Sequence, residues 1–486
     1  MLRSLNITDR VTTTTFGGFC PYWAIIDGKV FIADTAEEII SAVPEDKRIL
    51  DNTAFLELLQ FNYMLGNRTL VQGIKRMPWR AVLSGDGIIE RRPPIAHGLQ
   101  KSPPRAVARR LRELLEEELI TVAQKTNKIF LLLTGGLDSR VIAGILKKVE
   151  PQLQAEIKCV TWGQPKSRDV VYARRIAHWY DWEFVNIPYD AERVWKNIER
   201  SAIWGGSEVA GIHLHGTEWF KNTQPEDLVL AASFGDSIGR AEFSSVHLKN
   251  MNLIPPKNKH WLLHYSGLKE LFSLAKKDQQ TAWEGETSKL DWAYVELDLQ
   301  ENYMRRMICH SMDYIRQFCR LYQTFTSDNI VSYIWSLSPD DRIDDVYAEL
   351  LKDLDDKLYS LPWARNGVAP DGTKESNLNL TKDYHEWGKW LKQDLQNRLE
   401  TLYFSDGLRE LGSFSEKSKK RVWKKFMKEP VTSYWYGQDV VKLCSLELTR
   451  KFFKLQPDTK PVCGGNLILN NIKRYSSKLK KLCELH

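Results

Sequence analysis

The sequence predicts an α/β protein whose central part is a doubly wound parallel sheet, preceded by a β-rich segment and followed by a helical one. Short apolar runs alternate with helical patterns between residues 105 and 232, which is typical of a parallel sheet with crossover helices. Hairpin patterns dominate before residue 98, and helical patterns dominate beyond about residue 295. Proline pairs at 93–94 and 103–104 mark a linker. We therefore expect three segments, 1–98, 105–390 and 391–486, the last being an extension of the second.

The first segment contains two predicted strand pairs and a helix. The string AIIDGKVFIAD at 24–34 predicts two strands joined by an Asp-Gly turn. A helix is expected over Asn52–Leu65. A second strand pair, Ala81–Leu83 and Ile88–Glu90, flanks a turn that is rich in glycine.

The second segment opens with an amphipathic helix over 105–125, because its apolar residues recur at helical spacing. The predicted elements that follow are the strand Lys128–Thr134, the helix Asp138–Lys148, the strand Glu156–Trp162, the helix Arg168–Tyr180 and the strands Glu183–Ile187 and Leu228–Ala232.

Composition excludes several classes of protein. The chain has 486 residues, 43% of them hydrophobic, so it can form a large core, and a collagen-like, coiled-coil or disordered chain is excluded. The net charge of +7 is too small for its length to indicate nucleic-acid binding. The longest apolar run, Ile129–Leu133, cannot span a membrane, and the N-terminus lacks the apolar stretch of a signal peptide. We expect a cytoplasmic protein with reduced thiols; the oligomeric state is not indicated.

The most informative motif for function is the string Leu131-Leu-Leu-Thr-Gly-Gly-Leu-Asp-Ser-Arg140. A buried strand runs into Thr134, Gly135 and Gly136, and a helix starts near Asp138. Glycines permit close approach of the backbone to a ligand, and the start of a helix favours phosphate. Thr134 and Ser139 add hydroxyl donors, while Asp138 suits a magnesium ion that bridges phosphate oxygens. No GxxxxGK[ST] string occurs, which favours adenylyl over phosphoryl transfer.

This string resembles the pyrophosphate-binding loop of the ATP pyrophosphatases, or PP-loop proteins. Residues 105–390, and less fully 20–98, resemble the asparagine synthetase family, including its β-lactam synthetase and lasso-peptide cyclase branches. The stretch 228–240 resembles a second family motif, although the Gly-Glu pair of that motif is Ala232-Ser233 here. Phe325-Thr-Ser-Asp328 with Ser336-Leu-Ser-Pro339, and Gly372-Thr-Lys-Glu375, resemble further family segments.

The resemblance implies a site for ATP and Mg²⁺ at the carboxyl ends of the strands. Asp236, like Asp138, falls on a magnesium-binding aspartate and would act in catalysis. Lys374 falls on the lysine that serves the acyl-adenylate step. The residues implied in nucleotide binding are Thr134, Gly135, Gly136, Asp138, Ser139, Arg140, Thr161, Trp162, Gly163 and Gly235. Arg240 is a further candidate for a phosphate contact, and the acid–base group is left open among Tyr314, Tyr322 and Tyr347.

The first segment lacks the nucleophile of glutamine-dependent family members, which follows the initiator methionine directly. Residue 2 is Leu2, and the first cysteine is Cys20. We interpret residues 1–98 as a shortened glutaminase-like domain without glutaminase activity. Nitrogen would then come from ammonia, from a separate glutaminase partner or from an amine of the substrate.

The resemblance implies an amide-bond-forming, AMP-forming carbon–nitrogen ligase. A substrate carboxylate would attack ATP to give an acyl-adenylate and pyrophosphate, and ammonia or an amine would then displace AMP. Two alternatives remain: a catalytically inactive family member that serves as a binding or scaffold subunit, and a PP-loop enzyme that modifies tRNA.

Overall fold

The computed structural model describes residues 1–239, 255–263, 267–376 and 379–458. The strands are β1 Arg3–Ser4, β2 Arg10–Thr12, β3 Tyr22–Ile26, β4 Lys29–Ala33, β5 Ile74–Arg76, β6 Ala81–Ser84, β7 Ile89–Arg91, β8 Lys128–Leu132, β9 Glu156–Trp162, β10 Glu183–Ile187, β11 Leu228–Ala231 and β12 Arg320–Gln323.

The α-helices are α1 Ala36–Ala42, α2 Asn52–Phe61, α3 Pro104–Ala123, α4 Leu137–Val149, α5 Arg168–Trp179, α6 Ala191–Ile203, α7 Leu268–Gln280, α8 Asp291–Asp298, α9 His310–Met312, α10 Asp328–Ser336, α11 Asp344–Leu354, α12 Asp356–Ser360, α13 Trp387–Lys389, α14 Gln396–Tyr403, α15 Asp406–Glu410, α16 Glu416–Lys428 and α17 Trp435–Phe453. A π-helical stretch, Leu299–Cys309, connects α8 to α9.

A five-stranded parallel sheet in the order β10-β9-β8-β11-β12 forms the centre of the molecule. Both faces of β8 are buried, because Ile129 and Leu131 pack against α3, α4 and α5 while Phe130 and Leu132 pack against the segments around Phe220 and Ile315. A strand buried on both faces reads as a continuous apolar run, which explains the pattern seen in the sequence. The α/β fold with a parallel sheet is confirmed.

The strands of the first segment form antiparallel sheets, β1-β4-β3-β5 and β2-β6-β7. The predicted hairpin is β3 and β4, and its turn residues Asp27 and Gly28 both have positive φ, at 48° and 77°. The predicted helix over Asn52–Leu65 ends earlier, at Phe61, because Asn62 takes the left-handed conformation that caps the helix.

Strand β12 was not predicted, and it extends the sheet beyond β11. Its four residues lie in a stretch whose pattern is otherwise helical. The turn after β12 is held by the buried carboxylate of Glu118 on α3, which accepts hydrogen bonds from the backbone amides of Phe325, Thr326 and Ser327 at 2.8 to 3.1 Å. The resemblance in Phe325–Asp328 therefore falls on a turn that Glu118 fixes at the end of the sheet.

The helical C-terminal region is confirmed, and its core includes part of the first segment. Phe55 and Leu58 of α2 belong to the same apolar cluster as Leu399 of α14 and Val440 of α17. The backbone amide of Leu50 also donates to the carbonyl of Gln456 at 3.0 Å. No helix among the described residues is long and apolar enough to cross a membrane.

Candidate active site

The predicted site residues lie at one edge of the parallel sheet. Strands β8, β9 and β11 run in the same direction, and Leu131 pairs with both Cys159 and Leu230. The loops that follow these strands therefore emerge at a common edge, where ligands bind in open α/β sheets.

Two side chains of the loop between β8 and α4 form hydrogen bonds within the loop itself. The hydroxyls of Thr134 and Ser139 lie 3.0 Å apart, and Ser139 Oγ accepts a hydrogen bond from the Thr134 amide at 3.1 Å. Thr134 Oγ1 accepts a hydrogen bond from the Gly136 amide, also at 3.1 Å. These bonds give the loop a fixed shape before any ligand binds.

Helix α4 starts without a side-chain cap. Its N-cap residue is Gly136, which has no side chain to accept the first amides, whereas α5 and α6 are capped by Ser167 and Asp190. A Cβ at Gly136 would meet only Thr134 Oγ1, at 3.0 Å, so the space before the helix is otherwise open. The first-turn amides of α4 therefore suit an anion such as phosphate.

Gly235, the residue before Asp236, closely approaches Asp138. A Cβ at Gly235 would lie 2.4 Å from Asp138 Cβ and 2.7 Å from its Cγ, so only glycine fits. The buried hydroxyl of Tyr347 donates to the Gly235 carbonyl at 3.0 Å and fixes this turn. Two carboxylates on adjacent segments are a donor set that fits Mg²⁺. Among the described residues no cluster of three or more His, Cys, Asp or Glu could hold a metal.

The other two tyrosines lie elsewhere. Tyr322 donates its hydroxyl to Glu118 at 3.0 Å, and Tyr314 packs edge-on against Trp204. Of the three acid–base candidates, only Tyr347 contacts the Asp138–Gly235 junction.

Arg140 is wholly buried and links the loop between β8 and α4 to the residues at the end of α12. Its guanidinium donates to the carbonyls of Gly135, Leu358, Leu361 and Pro362 at 2.5 to 3.2 Å. Burial lowers its pKa to about 10. Its observed contacts are thus with the backbone, and they fix the turn after α12 against the loop. Arg240 lies outside the described residues.

The end of β9 is enclosed by aromatic side chains. Trp162 stacks on His215 with ring centroids 5.2 Å apart. Gly163 has φ of 132°, and a Cβ there would lie 2.7 Å from Tyr384 Cβ. Thr161 is buried within the sheet. The predicted nucleotide-contacting residues therefore lie beside a segment around Tyr384 that the sequence did not link to them.

Lys374 is exposed on a loop that is attached to the loop between β8 and α4. The amide of Ala364 donates to the Gly135 carbonyl at 3.1 Å, and a bridge pairs Val368 with Lys374. Lys374 lines a cavity of about 250 Å³ together with Arg168 and Glu375. This loop places a lysine close to the start of α5.

Asp169 is a site residue that sequence reasoning missed. Its Oδ1 accepts a hydrogen bond from the Gly135 amide at 3.0 Å. Burial raises the pKa of Asp169 to about 6, the nearby Asp383 adds to the increase, and the Gly135 amide opposes it. Its only signal in the sequence was an acid two residues after the cap Ser167, which also fits an ordinary helix start.

Cys20 is 2% exposed, and burial raises its pKa to about 11. A protonated, enclosed thiol is a poor nucleophile.

Comparisons with known proteins agree with the motif. Residues 110–210 match a family model described as asparagine synthase. This stretch contains the loop 134–139 and the strand end 161–163, while Asp236 and Lys374 lie beyond it. No curated protein matches the sequence.

Three solved structures are similar to parts of the chain. The first is an NH3-dependent NAD synthetase from Campylobacter jejuni subsp. jejuni NCTC 11168, with 16% identity over 39% of this chain and 99% of that chain and a TM-score of 0.22. The second is an NMN synthetase from Francisella tularensis, with 12% identity over 45% of this chain and 94% of that chain and a TM-score of 0.20. The third is an NAD+ synthetase from Burkholderia pseudomallei, with 11% identity over 49% of this chain and 91% of that chain and a TM-score of 0.20. Similarity this low carries no conclusion about substrate. The family match and the motif together show that residues 110–210 are similar to asparagine synthase over about a fifth of the chain.

Proposed function

We propose that this protein is an ATP-dependent ligase that adenylates a substrate carboxylate and transfers the acyl group to ammonia or to an amine. The observation that supports the proposal is the close approach of the Gly235 turn to Asp138 at the uncapped start of α4. The match of residues 110–210 supports the same class of reaction.

The residues of this chain have distinct roles in the proposed reaction. The first-turn amides of α4 bind the pyrophosphate part of ATP, and the hydroxyls of Thr134 and Ser139 complete the cradle. Asp138 and Asp236 would hold Mg²⁺, which neutralises charge on the phosphate oxygens. Lys374 approaches the reacting end on its own loop and stabilises the negative charge that develops there.

The second step of the proposed reaction needs a nitrogen nucleophile. Cys20 is buried and its pKa is raised to about 11, which argues against it as a glutaminase nucleophile and favours free ammonia, a separate glutaminase or a substrate amine. In this proposal the segment 1–98 supports the synthetase part. Buried ion pairs between the two parts favour that role. Glu301, in the π-helical stretch Leu299–Cys309, contacts Arg80 at 2.9 Å and Arg91 at 2.6 Å, and both arginines belong to the segment 1–98.

The test is to incubate the purified protein with ATP, Mg²⁺, ammonium and a panel of carboxylates that includes aspartate and uronic acids, and to measure pyrophosphate and AMP. We expect one carboxylate to give both products in equal amounts. Asp138→Asn should reduce the rate by about a hundredfold or more, since one ligand of the charge-neutralising ion is lost. Ser237→Ala, which removes a buried hydroxyl without a hydrogen-bond partner in the turn of Asp236, is the matched control and should be active.

Other products would contradict the proposal. ADP with phosphate would indicate phosphoryl transfer. Absence of both turnover and Mg²⁺-dependent ATP binding would favour the scaffold alternative. Pyrophosphate released only on addition of tRNA would favour the tRNA-modifying alternative.

A further inference from the structure

A second cavity, of about 950 Å³, lies away from the candidate active site. It is enclosed by the end of α2, the segment 256–261, the start of α7 and the start of α17. None of the predicted site residues lines it. Its volume is in the range of cavities that bind small molecules.

One wall of this cavity is aromatic. The rings of Phe61 and Tyr63 are 6.0 Å apart, and those of Tyr63 and Tyr303 are 5.8 Å apart. Phe272 extends the wall, and Trp435, which is 64% exposed, stands at the opening. Aromatic side chains of this kind offer a large apolar surface against which an apolar or aromatic group can pack.

The charged side chains among the described residues that line this cavity are lysines. The described lining residues include lysines but no aspartate or glutamate. The carboxylate of Asp439 is buried beneath the lining, and it is already paired with Lys259 at 2.9 Å and Lys442 at 3.0 Å. Lys257 and Lys269 are exposed and form no ion pair with any described residue. Two cations at the rim are therefore available to an anion.

The lysine-bearing wall is held in place. Gln60 Nε2 donates to the Pro255 carbonyl at 2.8 Å, and the side chain of Asn258 bonds both the amide and the carbonyl of Leu263. His260 and Trp261 both have positive φ, at 55° and 58°, which non-glycine residues adopt only when their surroundings impose it. A wall fixed in advance loses little freedom when a ligand binds.

We propose that this cavity binds a small amphipathic anion, with a flat aromatic or apolar body against the Phe61–Tyr63–Tyr303 wall and a carboxylate or phosphate between Lys257 and Lys269. The site is independent of the proposed ligase reaction.

Calorimetric titration with three probes tests this: naphthalene-1-acetate, 1-naphthyl phosphate and the neutral naphthalene-1-acetamide. We expect saturable one-to-one binding of at least one anion, and about tenfold weaker binding of the amide, which lacks the charge. Lys257→Gln with Lys269→Gln should weaken the anion about tenfold and leave the amide unchanged. Trp435→Ala should weaken all probes that bind.

Matched controls separate this site from general effects. Lys417→Gln with Lys420→Gln removes two exposed lysines outside the cavity, and Phe452→Ala removes an exposed aromatic ring elsewhere; both should bind the probes as the unaltered protein does. Asp138→Asn should also bind them unchanged, so a failure of the ligase assay does not affect this result. Equal affinity for acid and amide, anion binding that does not depend on the two lysines, or no saturable binding at all would overturn the proposal.

Discussion

Asp169 accepts a hydrogen bond from the backbone amide of Gly135 at 3.0 Å, so a carboxylate in the first turn of α5 holds the loop that precedes α4. Because burial raises the pKa of Asp169 from 3.8 to about 6, the folded state binds more protons than the unfolded state between these values. This group therefore lowers the free energy of unfolding as pH rises through that window.

Asp169→Asn keeps an acceptor for the Gly135 amide and removes the charge. We expect the variant to be more stable than the unaltered protein by about 1–2 kcal/mol at pH 7.5 and nearly equal to it at pH 4. Urea unfolding at both pH values measures this. Asp394→Asn, on an exposed residue, is the control; parallel pH profiles for Asp169→Asn and the unaltered protein would contradict the expectation.

Gly235→Ala should displace Asp138, because the new Cβ would lie 2.4 Å from Asp138 Cβ. Overpacking of this kind costs about 1–3 kcal/mol. We expect pyrophosphate formation to fall by more than the loss of stability explains, since the carboxylate that we propose to hold magnesium moves. Activity at a temperature where the variant is fully folded is the measurement. A variant that keeps full activity would show that the junction is not the catalytic centre.

Arg140→Met should destabilise the protein strongly. Four carbonyls, those of Gly135, Leu358, Leu361 and Pro362, lose their donor in a buried place. We expect a loss of at least about 3 kcal/mol in the free energy of unfolding. Arg174→Met, on the exposed face of α5, is the matched control and should change little. Nearly equal unfolding midpoints for the two variants would contradict the buried role of Arg140.

The thiols of the described residues should be unreactive in the folded protein. Cys20, Cys159, Cys309, Cys319 and Cys444 are buried and free, and burial raises the pKa of Cys20 to about 11. In a variant with Cys463→Ser and Cys483→Ser, which lie outside the described residues, we expect a disulfide reagent such as 5,5′-dithiobis(2-nitrobenzoate) to react only slowly before denaturant is added. Rapid release of one equivalent would identify an accessible thiol.

The sequence predicted the central elements closely, since β8 and β9 are mostly buried runs that read as local apolar patterns, and β10 follows a helix in the same alternation of strand and helix. It missed β12, because four residues with only two buried side chains give no pattern distinguishable from a neighbouring helix. The loop 134–139 was found from its residues, whereas Gly235 and Asp236 were implied by the resemblance, and the structure shows that Gly235 approaches Asp138. Arg140 was assigned to phosphate by type, but the direction in which a side chain points depends on packing, and here it points into the backbone of a turn 220 residues away.

The pairing of residues 49–50 with Gln456, and the shared core of α2 with α17, bear on how the chain folds. During synthesis α2 emerges early, but the two helices that cover its apolar face are made later: α7 about two hundred residues later and α17 almost four hundred residues later. Contacts so distant in sequence are slow to form. The apolar face of α2 can therefore be covered completely only after α17, near the end of the described chain, has been made.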